Sequence, residues 1–481
     1  MILNGLEPAA PLFWFEKLCS IPHGSGNTKE ISDFCVDFAR ERGLECYQDE
    51  ANNVIIKKPG TSGYEASAPV ILQGHLDMVC QKKPGCDIDF LHDGLRLKTD
   101  GEYVWADGTT LGGDDGIAVA MTLAVLDSDS ISHPPIEAVF TVDEETGMLG
   151  AAVLDMARLS GRRMINIDSE VEGVFTVSCA GGLRADVRIP VSREMLITSS
   201  AKIVISGLRG GHSGVEIGKN RASSNALAGR VLDAVIEKCG AQLVSLSGGS
   251  ADNAIAAHSE MVVALCEKDL PLLESAVSEL NGAFRNEYAV SDPDISVCVA
   301  EVSSGEVSAL CTADTRKVCD ALLILPQGIQ AMSQDMPGLV ETSLNLGILT
   351  LENDYLRAAF SVRSSVSSRK KMIARRLERI AAILGGSIEY SGDYPAWEFK
   401  RGSGLCQTLE EIYLEQYGSK PDVVAIHAGL ECGLFSAALP GLECVSIGPN
   451  LFDIHTVSER MEIASVLRVW NFLLKALERM K

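Results

Sequence analysis

The stretch "DDGIAVAMTLAVLDSD", residues 114–129, decides the fold class. Its apolar residues recur at helical spacing, and its leading Asp residues stand where acids suit the helix dipole. On either side lie "APVILQGH" (68–75) and "IEAVFTVD" (136–143), apolar runs of strand length. A strand, a helix and a second strand make one unit of an α/β layer. Working outward, "NNVIIKK" (52–58) and "RMINIDS" (163–169) read as further buried strands. "PLFWFEKLCS" (11–20) and "TKEISDFCVDFARERG" (28–43) read as amphipathic helices, the second stopping at Gly43. The expectation is a mainly parallel central sheet with helices on both faces.

The pattern changes from "AGGLRADVRIPV" (180–191). Strands now alternate apolar and polar residues, and the helical segments 223–240, 270–290 and 369–386 intervene. Alternation of period two marks strands with one solvated face, so residues 183–390 are expected to form an inserted α+β domain. The α/β pattern resumes at "GLCQTLEEIYLEQYGSKP" (404–421) and ends in the helix "EIASVLRVWNFLLKALERMK" (462–481). The outer domain is therefore discontinuous, 1–182 with 391–481.

Composition narrows the partners. Of 481 residues, 42 are Lys or Arg and 65 are Asp or Glu, a net charge of −23. Such a surface repels phosphate backbones and anionic membranes, so neither nucleic acid nor membrane is an expected partner. The basic run "RKKMIARRLER" (369–379) reads as a solvated helix face. No apolar run reaches the roughly 18 residues that span a bilayer, and the N-terminus lacks a signal pattern. The fourteen Cys show no C-x-x-C pair, and several, such as Cys298 and Cys444, lie in apolar segments. Buried free thiols in a reducing cytoplasm are expected.

Chemistry-bearing side chains gather at strand ends, where open α/β sheets place their sites. "LQGHLDMV" (72–79) delivers His75, with Asp77 two residues on and on the same face. A metal-binding His needs a carboxylate to orient its ring, and this pair could be ligand and orienter. In "WADGTTLGGDDGIAVA" (105–120) two glycines permit a tight turn before Asp114 and Asp115, and taken alone this motif reads first as a helix cap by one of the two. "DEETG" (143–147) sets Glu144 beside Glu145, "INIDSE" (165–170) presents Asp168, and the loop "GPNLFDIHTVSERMEI" (448–463) carries His455. Two imidazoles and three carboxylates exceed the needs of one tetrahedral ion and suit two ions sharing one acid. One glutamate of the pair can then bind metal while its neighbour accepts a proton.

These motifs resemble the five site motifs of the co-catalytic zinc aminopeptidase/aminoacylase/carboxypeptidase superfamily. "SIPHGSGNT" (20–28), "GLRGGHSGVEI" (207–217), "SGDYPAWEF" (391–399) and "HAGLECGLF" (427–435) extend the likeness toward the aminoacyl-histidine dipeptidases, the Xaa-His or carnosinase type. The resemblance implies two Zn²⁺, with Mn²⁺ or Co²⁺ as substitutes, held by His75, Asp114, Glu145, Asp168 and His455. It implies that Asp77 orients His75, that Asp114 bridges the ions and that Glu144 is the general base. Asp115 follows the bridging acid where many relatives have an uncharged residue, and competes with it for the bridge. In the insertion it makes His212 the group that reaches the scissile carbonyl oxygen, from the partner subunit of a homodimer. Asn253 and Arg363 match positions that hold a substrate's backbone and terminal carboxylate, and His427 is a pocket candidate. Read without the resemblance, Arg363 is a charge on an edge strand. The substrate class implied is a dipeptide. Tripeptidase, N-acyl-amino-acid deacylase and carboxypeptidase activities are the alternatives within the superfamily, and a non-catalytic metal-binding scaffold or sensor is the alternative of another class.

Overall fold

The computed structural model describes residues 2–481. The chain divides into two compact units. One comprises Met1–Cys179, Phe399–Ala425 and Leu430–Lys481; the other comprises Ala180–Glu398 and Ile426–Gly429.

The first unit is built on an eight-stranded sheet. At its centre Val70–His75 runs parallel to both Ile136–Thr141 and Arg163–Asn166, and Glu443–Ser446 runs parallel to Arg163–Asn166. The helix Gly113–Asp127 connects the first two of these strands and packs on Val70–His75. This is the crossover unit expected from the sequence. Val70–His75 and Ile136–Thr141 are buried at every position. Because successive side chains point to opposite faces, both faces of the sheet centre are covered. The flanks depart from the expected parallel pairing. Val54–Lys58 joins Ile136–Thr141 antiparallel, Glu45–Gln48 joins Val54–Lys58 antiparallel, and Val174–Cys179 meets Glu443–Ser446 antiparallel. Neighbour choice at a sheet edge is a tertiary matter that apolar patterning does not encode.

A second, four-stranded sheet pairs the hairpin Leu451–Phe452 and Arg460–Glu462 with Tyr103–Ala106 and Leu97–Thr99. It carries the loop with His455 at its tip.

The second unit holds a nine-stranded sheet. Its long ribbon Arg193–Ser206 with Ser296–Leu310, its centre Val340–Leu351 with Tyr355–Ser364, and its edge Gly181–Pro190 with Ser387–Tyr394 are all antiparallel. The helices Ser224–Cys239, Leu270–Glu287, Thr312–Ile324 and Ser367–Ile383 contribute Leu232, Phe284, Val318 and Leu377 to one continuous core with Leu344 and Phe360.

Two boundaries read from the sequence move. A domain limit at 390 would cut the strand Ser387–Tyr394, which pairs along Gly181–Pro190, so the second unit runs on to Glu398. The short segment Ile426–Gly429 also belongs to it, because the Ala180 N–H donates to the carbonyls of Ile426 and Ala428. All fourteen cysteines are free thiols. Cys444 is buried as expected, but Cys298 is exposed because its strand, Ser296–Leu310, ends the sheet.

Candidate active site

His75 ends its strand with the imidazole fully enclosed at 1 % exposure. Its Nδ1 lies 2.9 Å from the Asp77 carbonyl oxygen and 3.5 Å from Asp77 Oδ1. That contact puts the ring proton on Nδ1 and frees Nε2 as a lone-pair donor. Nε2 faces Asp114 Oδ1 at 3.1 Å and Asp168 Oδ1 at 3.8 Å. Asp77 does more than orient the ring. Its carboxylate also accepts the Glu144 N–H at 3.0 Å, the Glu145 N–H at 3.4 Å and the Ser25 hydroxyl at 2.7 Å.

Asp114 follows Gly112, whose φ of 66° places it in the left-handed region that glycine tolerates. Asp114 and Asp115 have non-helical backbone angles, so the regular helix starts beyond them and their carboxylates are not simple caps. While Asp114 Oδ1 faces His75, its Oδ2 lies 3.3 Å from His455 Nε2. The same Nε2 is 2.8 Å from Glu145 Oε1. Asp115 is differently engaged: its Oδ2 accepts the backbone N–H of His75 at 3.2 Å. It nonetheless forms a trio with His75 and Asp168, as Asp114 and Glu145 do with His75, the ligand atoms of each lying within 4.8 Å of one another. The second trio departs from the expected ligand set by including Asp115.

Three residues of this region were not anticipated from sequence. Ser25 braces Asp77, as above. Glu459, 3 % exposed, accepts the N–H groups of Leu111 at 2.8 Å and Gly113 at 2.9 Å, fixing the turn ahead of Asp114. Glu431 is buried behind the strand ends, bonded to Gln73 and Thr141. The only signal available was position: Glu459 stands four residues after His455, and Glu431 lies inside "HAGLECGLF".

The electrostatics call for cations. Burial pushes the carboxyls of Asp115 and Asp168 well above their usual range, and the negative charge of Asp114 reinforces this. Burial likewise raises Glu144, to about 8. Contacts with Asp114 and Glu145 raise His455 to about 10. Burial works against ionised Asp114, yet His455 and His75 hold its carboxyl well below the ordinary value. Crowded carboxylates with imidazole nitrogens are a donor set for divalent cations of the zinc, manganese or cobalt kind, and the residues present fit them.

A pH dependence follows. Without cations, the folded chain holds more protons than the unfolded chain as Glu144 titrates near 8 rather than 4.5, and His455 near 10 rather than 6.5. Stability then falls as pH rises through that window. The melting temperature of chelator-treated protein is expected to decline from pH 6.5 to 8, whereas saturating Zn²⁺ or Mn²⁺ raises and flattens the curve, since cation binding displaces those protons. Scanning fluorimetry at fixed ionic strength checks this, and a metal-free curve that climbs over the same interval would contradict it.

The remaining expected site residues all lie in the second unit. His212 belongs to the strand pair Gly211–His212 and Ala254–Ile255. Its Nδ1 accepts from the N–H groups of Gly214 and Val215 at 3.3 Å, which leaves the proton of the neutral ring on Nε2. The Asn253 carbonyl accepts the Ser213 N–H at 2.8 Å, so Asn253 stands beside His212, with its side chain exposed. Arg363 is not on an edge. Its strand Tyr355–Ser364 lies between Val340–Leu351 and Gly181–Pro190. The guanidinium donates to the Tyr394 hydroxyl at 3.0 Å, and its buried Nε–H has no partner. His427 Nε2 lies 2.7 Å from the Ser343 hydroxyl, and its buried Nδ1 is also unpartnered. Burial, then the charge of Arg363, drives His427 down to about 3 and lowers His212 too. The Nε–H of the half-buried Arg363 and the Nδ1 of His427 are thus two buried polar atoms without a protein partner, and the guanidinium is a group suited to an anion.

Residues 71–479 match peptidase family M20/M25/M40. The chain belongs to that family, and its members are hydrolases, as the five motifs implied. It is 34 % identical over 479 residues to the cytosol non-specific dipeptidase of Escherichia coli (strain K12), covering 99 % of this chain and 98 % of that protein. It matches the crystal structure of aminoacylhistidine dipeptidase from Vibrio alginolyticus with a TM-score of 0.94 at 36 % identity, covering 99 % and 98 % of the two chains. A tripeptidase structure from Staphylococcus aureus, 18 % identical with a TM-score of 0.55 and 99 % of each chain covered, shares the fold. Among the described residues no helix is long and apolar enough to cross a membrane.

Proposed function

We propose that this chain is a dinuclear-metal dipeptidase, of Xaa-His type with broader tolerance, acting in the cytoplasm as a homodimer. The observation that carries the reading is the division within "DEETG". Glu145 lies with His75 and Asp114 in a trio that could hold a cation, whereas half-buried Glu144 lies in none. A mere metal scaffold has no use for Glu144.

His75, Asp114, Glu145, Asp168 and His455 would hold two divalent cations, Zn²⁺ in this reading with Mn²⁺ or Co²⁺ as substitutes. Asp114 would be the acid shared between them, since its two oxygens face the two imidazoles, His75 and His455. Bound there, the cations supply a Lewis acid for the scissile carbonyl and make water at the site more acidic. Glu144 takes the proton of the attacking water and passes it to the leaving amine. Asp77 keeps His75 in one tautomer and holds the Glu144 backbone. His212 donates from Nε2 to the developing oxyanion, and Asn253 holds the substrate backbone. Arg363 receives the terminal carboxylate with His427 beside it. The inserted unit is a lid and dimerisation domain.

The test is a cation-loaded assay on carnosine, Gly-His, Ala-Ala, a tripeptide and an N-acetyl amino acid. Hydrolysis is expected for the dipeptides. Faster turnover of the tripeptide or the acylated amino acid would assign a different activity. Arg363 adds a sharper comparison. Losing a charge-assisted hydrogen bond costs about 1.5–3 kcal/mol, so a dipeptide amide should fall about 10–100-fold below the free acid in kcat/KM. Equal rates would remove Arg363 from the substrate site.

A further inference from the structure

Glu431 is a carboxylate that no step above uses. It is 0 % exposed and stands at the start of the helix Cys432–Ala438. Its Oε2 accepts from Gln73 Nε2 and from Thr141 Oγ1, each at 2.6 Å. Gln73 in turn accepts at Oε1 from Asn166 Nδ2, again at 2.6 Å. These three partners occupy three adjacent strands, Ile136–Thr141, Val70–His75 and Arg163–Asn166. Each strand delivers a residue of the cation cluster just beyond the bonded position. Gln73 lies two residues before His75, Thr141 four before Glu145, and Asn166 two before Asp168.

A buried carboxylate is an expensive means of holding strands that backbone hydrogen bonds already join. The bonds it makes run side chain to side chain, over positions that the backbone ladder also pairs, Gln73 with Asn166 and Thr141 with His75. They therefore add to the ladder a side-chain tie across three strands, just ahead of the residue that each contributes to the cluster. Second-layer partners of this kind orient metal ligands from behind without touching the ion.

We propose that Glu431 is a positioning residue for the metal centre, tying through Gln73 and Thr141 the three strands that present His75, Glu145 and Asp168. The inference rests on the metal-centre reading of that cluster. It assigns the work to the acceptor oxygen that receives both donors. Glu431→Gln keeps a carbonyl oxygen for them, whereas Glu431→Ala removes it.

The experiment uses the full-length chain stripped of cations and titrated with Co²⁺, followed by visible absorption, and with Zn²⁺ in competition with a chelator. Far-UV circular dichroism verifies folding. Glu431→Ala is expected to weaken cation affinity about 10–100-fold and to change the Co²⁺ absorption bands. Glu431→Gln should stay close to wild type in both readouts. Thr141→Val, which removes one donor with little change of shape, should weaken affinity in the same direction by less, and it serves where the alanine variant does not fold. A purely structural Glu431 would lower the melting temperature while leaving affinity and spectrum as they are, and that result overturns the proposal. So does a Glu431→Gln variant as impaired as Glu431→Ala, since charge and not the shared acceptor would then matter. Wild-type protein that takes up no divalent cation would overturn the metal-centre reading and this inference together. Wild-type binding with unaltered Glu431→Ala and Thr141→Val variants would overturn this inference alone.

Discussion

Replacing Glu144 with Gln is expected to leave the cation content of the protein intact and to lower kcat by about 10²–10⁴-fold, the usual contribution of a general base. Glu144 lies outside both trios that could hold an ion. Its backbone is fixed by Asp77 Oδ1 at 3.0 Å, so the amide variant keeps its place and loses only the capacity to take a proton. Glu145→Gln should behave differently. Its Oε1 sits 2.8 Å from His455 Nε2, in the trio with His75 and Asp114, so an amide there weakens a ligand. Cation content should fall along with turnover. Elemental analysis of both purified variants beside their kinetics separates the two roles, and equal cation loss would reject the division between the neighbours.

The second large effect is expected at His212. Removing one donor to a developing oxyanion costs about 10²–10³ in kcat, so His212→Ala should be nearly inactive with its cations still bound. The proposal that it serves the partner subunit's site makes a further, distinctive claim. Mixing His212→Ala with Glu144→Gln under conditions of subunit exchange should restore part of the activity. A heterodimer would contain one site in which both wild-type groups meet. If His212 serves its own chain, every site keeps one lesion and the mixture stays as inactive as its components. A wild type that sediments as a monomer while fully active would also end the proposal.

Legibility in the sequence followed the reach of the signal. Val70–His75, Gly113–Asp127 and Ile136–Thr141 could be read because each is a local run whose periodicity reflects its own burial. The antiparallel flanks of the same sheet could not, since Val54–Lys58 looks alike whichever way its neighbour runs. His75, Asp114, Glu145 and His455 stood out because imidazoles and paired acids at strand ends are scarce. Glu459 and Glu431 did not, because a single glutamate has no period. Their partners are remote in the chain, 348 residues away for Leu111 and 358 for Gln73. The expected limit at 390 splits the strand Ser387–Tyr394 for a related reason: "SIEYSGDY" carries mostly exposed residues and announces its membership only by pairing with Gly181–Pro190.

The four-residue segment Ile426–Gly429 has a practical consequence for anyone who would cut this protein apart. A clone of residues 180–398 looks like a self-contained module, yet it omits the pieces that close it. Ser343 would lose His427, and the Ala180 N–H would lose both of its carbonyl acceptors. A faithful excision needs a graft: the segment 426–429 stitched back onto the truncated chain, or supplied as a peptide.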